Sequence, residues 1–348
     1  MTYQFTIAPA AVREADLRDD RECARLDAFV RSQAGSPFHL SGWSRAVELG
    51  CRQRARYLVA EAAGGRIAGV LPLTEMRSAL FGRALVSAGF AVDGGVLGDA
   101  AEELAGAAWT LAGRLGCAGV ELRGGPTLAG WAVDDATYLG FSRPLAADDG
   151  AELLAIPRKQ RAEVRRGLAA ELEVAVGRDR AALAEHYALY AESVRNLGTP
   201  VFPPALFRAA AEAMDADVLT VRHGGRAVAS VLSLYANGTV YPYWGGGAAA
   251  ARGLRANDRL YFALMAHARA RGCARFDFGR SKAGTGAAAF KKNWGFDPRP
   301  LSYARRSAGR PREVNPLDPR YAAMVRTWKR LPLPVANLVG PWIARGLG

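Results

Sequence analysis

Two stretches of this chain occur twice, and that repetition limits the fold more than any other feature. Residues 64–73 (GGRIAGVLPL) resemble residues 224–234 (GGRAVASVLSL), with one residue inserted. Residues 116–122 (GCAGVEL) resemble residues 272–278 (GCARFDF). The two offsets are 160 and 156 residues, so the copies keep both order and spacing. Within each copy the paired stretches enclose a strand, a Gly pair or triplet, and an apolar helix. Similarity at a fixed offset is the mark of a repeated structural unit. Each unit reads as hairpin, strand, Gly-rich turn, helix, strand. That is a mixed α/β (α+β) arrangement, and 348 residues suit two such domains. Residues 1–145 are expected to form the first and 151–305 the second, with residues 143–150 (RPLAADDG) as the joint. Residues 306–348 read as a basic, proline-containing tail.

The two units differ in their chemistry. Where the first has Arg123-Gly124-Gly125-Pro126, the second has Gly279-Arg280-Ser281-Lys282 and continues to residue 296 as FDFGRSKAGTGAAAFKKNWGF. The chain has 46 basic residues but only five lysines, and Lys282, Lys291 and Lys292 fall within eleven positions here. Lysine is a compact point charge whose pKa can be lowered, and arginine is neither. Lys291 and Lys292 are therefore the expected catalytic cations, stabilising an oxyanion or holding a phosphate. Arg280 and Lys282 would grip an anionic part of a substrate. Gly284 and Gly286 would expose N–H groups beside them. The alternative is a solvated basic loop. Asp277 is expected one step before the loop, its side chain opposite Phe276 and Phe278, where it acts as a base or pairs with Arg280. The strand is expected to end near Phe278. A Walker A loop is excluded, because Thr285 stands where the lysine must be. The Gly284-x-Gly286-x-x-Ala289 match to a dinucleotide fingerprint lacks the βαβ unit that would give it meaning.

Four cysteines without CxxC spacing and four histidines without HExxH spacing argue against a metal site or a disulfide framework. The first residues show no secretory signal, and no stretch is apolar enough to span a bilayer, so a cytoplasmic location is the expectation. The net charge is +13, and residues 299–348 hold ten basic side chains against two acidic ones. Such a surplus suits an anionic partner: a phosphate-bearing substrate, tRNA, or the inner face of a membrane met by the tail. Apolar Trp328, Leu331, Leu338 and Trp342 lie among those cations, and Pro332, Pro334 and Pro341 are expected to prevent a continuous helix.

Other candidates are scattered. A strand is expected at residues 3–7, another at 80–87, and another at 239–244, where Tyr243 faces a cleft or a core. Asp99 and Asn257 are expected to cap helices. Arg158 and Lys159 open a basic helix that could contact tRNA. Arg195 and Asn196 precede a Pro-rich loop and could close over an acceptor. His39, beside Phe38, is expected to pack rather than to catalyse.

The repeated unit resembles the GNAT acyltransferase fold. Twice in one chain it is similar to the FemAB-like group of peptidyltransferases that build peptidoglycan cross-bridges. More narrowly, it resembles the FemAB-related subgroup associated with exosortase and PEP-CTERM systems. The residues carrying this are Ser36-Pro37-Phe38-His39, residues 156–161 (IPRKQR), 195–203 (RNLGTPVFP), Ala256-Asn257-Asp258, and 276–296. The resemblance implies tandem GNAT-like domains and an N-acyl or aminoacyl transferase whose acceptor is a cell-envelope or exopolysaccharide precursor. It implies no permanently bound cofactor and an activated donor, acyl-CoA or aminoacyl-tRNA. It also implies that Phe290-Lys291-Lys292 lies in the substrate cavity. The pyrophosphate-binding pattern of GNAT enzymes is not reproduced in residues 245–257 (GGGAAAARGLRAN). A GNAT-fold scaffold without catalysis, docking through its basic tail, is the competing reading.

Overall fold

The structure, a computed structural model, describes residues 10–78, 82–309 and 319–347. The strand expected at residues 3–7 and the start of the one expected at 80–87 lie outside the described residues. In the first unit, β1 (Ala11–Glu14), α1 (Asp20–Ser32) and α2 (Ser41–Cys51) lead into the antiparallel strands β2 (Arg54–Glu61), β3 (Ile67–Ser78) and β4 (Gly82–Ser87). The short β5 (Leu97–Gly98) pairs with β3; α3 (Ala101–Arg114), β6 (Gly119–Arg123) and β7 (Ala132–Asp134) follow. β6 lies parallel to β4.

The second unit opens with β8 (Tyr138–Pro144), α4 (Asp149–Ala155), α5 (Arg158–Ala169), β9 (Glu173–Gly177), α6 (Arg180–Leu197) and α7 (Pro204–Ala213). The repeated hairpin is β10 (Ala216–His223) and β11 (Arg226–Ala236), followed by β12 (Thr239–Gly247), α8 (Ala251–Leu254) and α9 (Ala256–Ala270). Then come β13 (Arg275–Lys282), α10 (Gly286–Asn293), β14 (Pro298–Pro300) and β15 (Tyr303–Ser307). α11 (Pro319–Arg330) and α12 (Leu333–Ala344) end the described chain.

The mixed α/β chain therefore folds as two units of hairpin, strand, helix and strand, as its repeat predicts, but the sheets interleave. The first sheet runs β1-β2-β3-β4-β6-β15-β7 and the second β14-β8-β13-β12-β11-β10-β9. Thus β8, at the end of the first expected unit, pairs with β13, while β15, at the end of the second, pairs with β6 and β7.

β11 is buried along almost its whole length, because both faces of its sheet are covered. Alternate residues divide between two cores: Val231 joins Leu260 and Met265 of α9, and Leu232 joins Phe207 of α7 and Trp244. The second of these cores also takes Phe38, Trp43 and Val47 from the first unit, so it joins the halves. Helices α2 and α7 meet there at backbone distance. A Cβ on Gly50 would lie 2.3 Å from the Leu206 Cα, and one on Gly42 would lie 2.6 Å from the Ala213 carbonyl oxygen.

Several local expectations change. α3 begins at Ala101, because the Asp99 N–H is committed to the Ala68 carbonyl at 2.9 Å and Ala100 stands at the cap. α9 begins one residue before Asn257, with Arg255 at the cap in a left-handed conformation. β12 continues through the three glycines to Gly247, paired to β11. α12 passes through Pro341 and stays continuous despite the loss of one i→i−4 hydrogen bond there. Both tail helices lie against α6, and the Gln53 side chain donates to the Arg345 carbonyl at 2.7 Å.

Candidate active site

The site forms where β12 and β13 part. These strands are parallel and pair only at Thr239↔Arg275 and Val240↔Phe276. Beyond Val240 the β12 edge has no ladder on its β13 side, and a cavity of about 200 Å³ opens between them. Tyr241, Pro242, Tyr243 and Gly245 form one wall and residues 277–280 the other. Tyr261 of α9 and Lys291 of α10 close the base, and Phe38 and Val92 come across from the first unit.

β13 does not end at Phe278. It runs to Lys282 through a bulge: Asp277 pairs with Ser142 and Arg280 with Gly140, so one extra residue sits on the β13 side. Gly279 takes φ = +65° there, a conformation that favours glycine. In an unbroken strand residues 277 and 280 would face opposite ways; the extra residue puts Asp277 and Arg280 on one wall. The Asp277 carboxylate accepts the Gly279 N–H at 2.7 Å, which fixes the bulge from within.

Lys291 fixes it from outside. Its Nζ donates to the carbonyls of Phe278 at 2.7 Å, Gly279 at 3.3 Å and Arg280 at 2.9 Å. An ammonium has three N–H bonds, and all three are used. The expectation for Lys291 is that it stabilises an oxyanion or holds a phosphate; its contacts here are to the backbone of the bulge. Burial pulls this ammonium down to about 8, against the opposing pull of Asp277. Burial pushes the Asp277 carboxyl up to about 6; Asp93 adds to this, and the Gly279 N–H and Lys291 oppose it. The cavity thus holds a carboxylate that is more basic than usual yet ionised at neutral pH.

Arg280 is directed toward the first unit. Its guanidinium stacks on Tyr138 at 4.7 Å and donates to the Tyr303 hydroxyl at 2.7 Å, and that hydroxyl donates to the Val92 carbonyl at 2.9 Å. Tyr243 packs on Phe38 at 4.9 Å and donates its hydroxyl to the Phe90 carbonyl. His39 is buried below, where its Nδ1 accepts the Ser36 N–H at 3.1 Å and its Nε2 meets the Gly95 carbonyl at 3.1 Å.

The other expected site residues lie elsewhere. Lys292 is exposed on the outer side of α10. Gly284 and Gly286 are exposed around Thr285, whose hydroxyl caps α10 and donates to the Lys282 carbonyl at 2.7 Å. Lys282 ends β13 outside the cavity. Asn257 stands at the head of α9 against Gly247, one turn from Tyr261. Arg158 and Lys159 are exposed at the start of α5, which is tied to α9 by Gln160 donating to Asp258 at 2.5 Å. Arg195 donates to the Lys329 carbonyl at 3.3 Å in the tail, and Asn196 is exposed beside it, so neither closes over the cavity. Sequence reasoning missed Tyr261, although it falls four residues after Asn257 on the same helix face. Phe38 and Val92 carried no signal for the cavity, since only the packing of the two halves brings them there.

In the first unit the same opening is closed. β4 and β6 pair at Leu85↔Val120 and Val86↔Glu121 and then part. The gap is taken by residues 88–95 and by Arg123, whose N–H reaches Ser87 Oγ at 2.7 Å and whose Nη1 reaches the Ala91 carbonyl at 2.8 Å. Gly95 donates to the Arg123 carbonyl at 2.8 Å.

Comparison with known proteins agrees with this architecture. A model of the acetyltransferase (GNAT) domain matches residues 158–292, which contain both separating strands and all but the last residue of α10. Among solved structures, FemX is similar with a TM-score of 0.65 at 15% identity, covering 84% of this chain and 96% of that one. L-PGS from Bacillus licheniformis has a TM-score of 0.52 at 15% identity, covering 88% and 97%. A tandem GNAT protein from the clavulanic acid biosynthesis pathway has a TM-score of 0.53 at 14% identity, covering 87% and 99%. At these identities the likeness is one of fold: a FemAB-like tandem GNAT architecture. No curated protein matches the chain.

Proposed function

We propose that the second unit transfers an acyl or aminoacyl group from an activated ester to an amine or hydroxyl, with Asp277 as the general base. The observation that carries this reading is a more-than-usually basic carboxylate held on a bulge in the β13 wall of the cavity. In the step, the acceptor nitrogen attacks the acyl carbonyl carbon and a C–N bond forms. Asp277 takes the proton from that nitrogen. The C–S or C–O bond to the donor then breaks, and Asp277 returns the proton to the departing sulfur or oxygen. The unladdered edge of β12 would offer backbone N–H groups to the oxyanion. Lys291 would hold the bulge, and Arg280 and Tyr243 would hold the wall facing the first unit.

A volume of about 200 Å³ is below that of a site for a whole drug-sized ligand. It suits the reacting groups, with the bulk of the donor lying outside. Arg158 and Lys159 on α5, coupled to α9, are the cations we assign to the donor's phosphates, whether acyl-CoA or aminoacyl-tRNA. The acceptor class we favour, an envelope or exopolysaccharide precursor in the exosortase-associated setting, rests on the sequence resemblance alone.

Thermal-shift and titration binding with acetyl-CoA, a long-chain acyl-CoA and an aminoacyl-tRNA mimic tests the donor. With the donor that binds, Asp277→Asn is expected to lower kcat by about 10²–10⁴ while binding is kept. Full activity in a folded Asp277→Asn protein would remove the base assignment. Binding of none of the three would favour the scaffold reading.

A further inference from the structure

The last described helix is built inside out for a surface helix. An ordinary one turns its large apolar residues to the core and its polar ones to water. In α12 the buried positions are Ala336, Gly340 and Ala344, and a Cβ on Gly340 would lie 3.0 Å from the Val201 nitrogen. The small residues let the helix sit flat on the body. The large ones face out: Leu338 is 79% exposed and Trp342 54%, and Val335 and Val339 complete the same stripe at spacings of three and four. No residue of the helix is charged. Its flanks carry the charge: Arg326, Lys329 and Arg330 are exposed on α11, and Arg345 follows α12. Residues 319–347 contain no Asp or Glu.

We propose that α12 docks on a bilayer surface rich in anionic headgroups, with Leu338 and Trp342 entering the headgroup–acyl boundary and the flanking cations meeting the lipid charge. A short helix with an outward aromatic and leucine face, ringed by basic residues, has the chemistry for lying in that plane. With 12 residues it is about 18 Å long, too short to cross a bilayer. The helix is also joined to the cavity. Val201 lies under Gly340; its neighbour Phe202 stacks edge-on against Phe90 at 5.6 Å, and the Phe90 carbonyl holds the Tyr243 hydroxyl in the cavity wall. A surface-bound tail therefore sits a few contacts from the site. The docking does not depend on the transfer reading.

Flotation of the full chain with vesicles tests it. We expect recovery with phosphatidylcholine–phosphatidylglycerol vesicles, little with phosphatidylcholine alone, and a fall in binding with added salt. Leu338→Asp with Trp342→Asp should lower the partition coefficient at least about tenfold while the melting temperature is kept, because both side chains are exposed. Lys329→Glu with Arg330→Glu should abolish the preference for anionic vesicles. Equal flotation of the Leu338/Trp342 double variant and the parent overturns the proposal, as does absence of flotation. So does a dimer in sedimentation analysis that the double variant dissociates without any vesicle binding.

Discussion

Replacing Lys291 by Met is the most informative single change, because it separates a lysine that positions from one that acts on substrate. Methionine keeps the length and apolar stem and deletes the three N–H bonds to Phe278, Gly279 and Arg280. Leaving a buried carbonyl without its partner costs about 1–3 kcal/mol, so three cost about 3–9 kcal/mol. Part of that is offset, because the ammonium is itself held against its preference. Its fall from the usual lysine range to about 8 corresponds to about 3 kcal/mol. The net expectation is a loss of about 3 kcal/mol, or roughly 5–10 °C in melting temperature for a cooperative unit of this size. Circular dichroism melting reads it without any knowledge of the donor, and hydrogen exchange should show faster exchange at Gly279, whose N–H depends on the bulge. Lys292→Met, on the exposed side of the same helix, should change neither. If Lys291→Met melts within about 1 °C of the parent yet loses transfer a hundredfold or more, the ammonium touches substrate and the positioning argument is wrong.

Three further outcomes follow from the same geometry. The transfer rate should be bell-shaped, falling below about pH 6 as Asp277 protonates and above about pH 8 as Lys291 loses a proton from its bulge contacts; Asp277→Asn should remove the acid limb. Stability should show the matching signs. Between the ordinary Asp range and about 6 the folded chain binds the extra proton, so Asp277 makes stability fall as pH rises there. Between about 8 and the ordinary Lys range the unfolded chain binds it, so Lys291 makes stability rise. Urea unfolding of the two single variants should lose these limbs one at a time. Arg123→Met in the closed first unit should cost about 2–4 kcal/mol, through loss of Glu121 and the Ala91 carbonyl as partners, and should leave donor binding unchanged.

The fold was legible because its signal is periodic and repeated. Two hairpins with GG turns and two GCA-initiated strands at matching offsets need no tertiary information to be recognised. The exchange of β8 and β15 between sheets was not legible, since a strand's sequence specifies a buried face and not which sheet supplies it. In the site, Asp277, Arg280 and Lys291 stood out by residue type, but their roles turned on one glycine. Read as a strand end, Gly279 turned 280–282 into a cationic loop. Read as a glycine inside a strand pattern, it predicts a bulge, and a bulge needs its loosened carbonyls satisfied. Lys291 satisfies them.

The comparison of the two units explains why only one is open. Both have a parallel pair that separates after two positions, so the scaffold alone makes a gap in each. In the first, the chain leaving β4 turns back at Ala88 and Phe90, both with positive φ, and fills the gap with its own backbone. In the second, β12 continues straight through Gly245, Gly246 and Gly247 on its β11 ladder, and nothing returns. The filled gap then becomes useful to the open one. The Phe90 carbonyl that the returning loop presents takes the Tyr243 hydroxyl, and the Val92 carbonyl takes Tyr303, which holds Arg280. The closed copy thus supplies the far wall of the open copy. A second unit expressed alone would lose Phe38 and Val92 from its cavity, together with the two carbonyls that orient Tyr243 and Tyr303, so duplication here completes one site rather than making two.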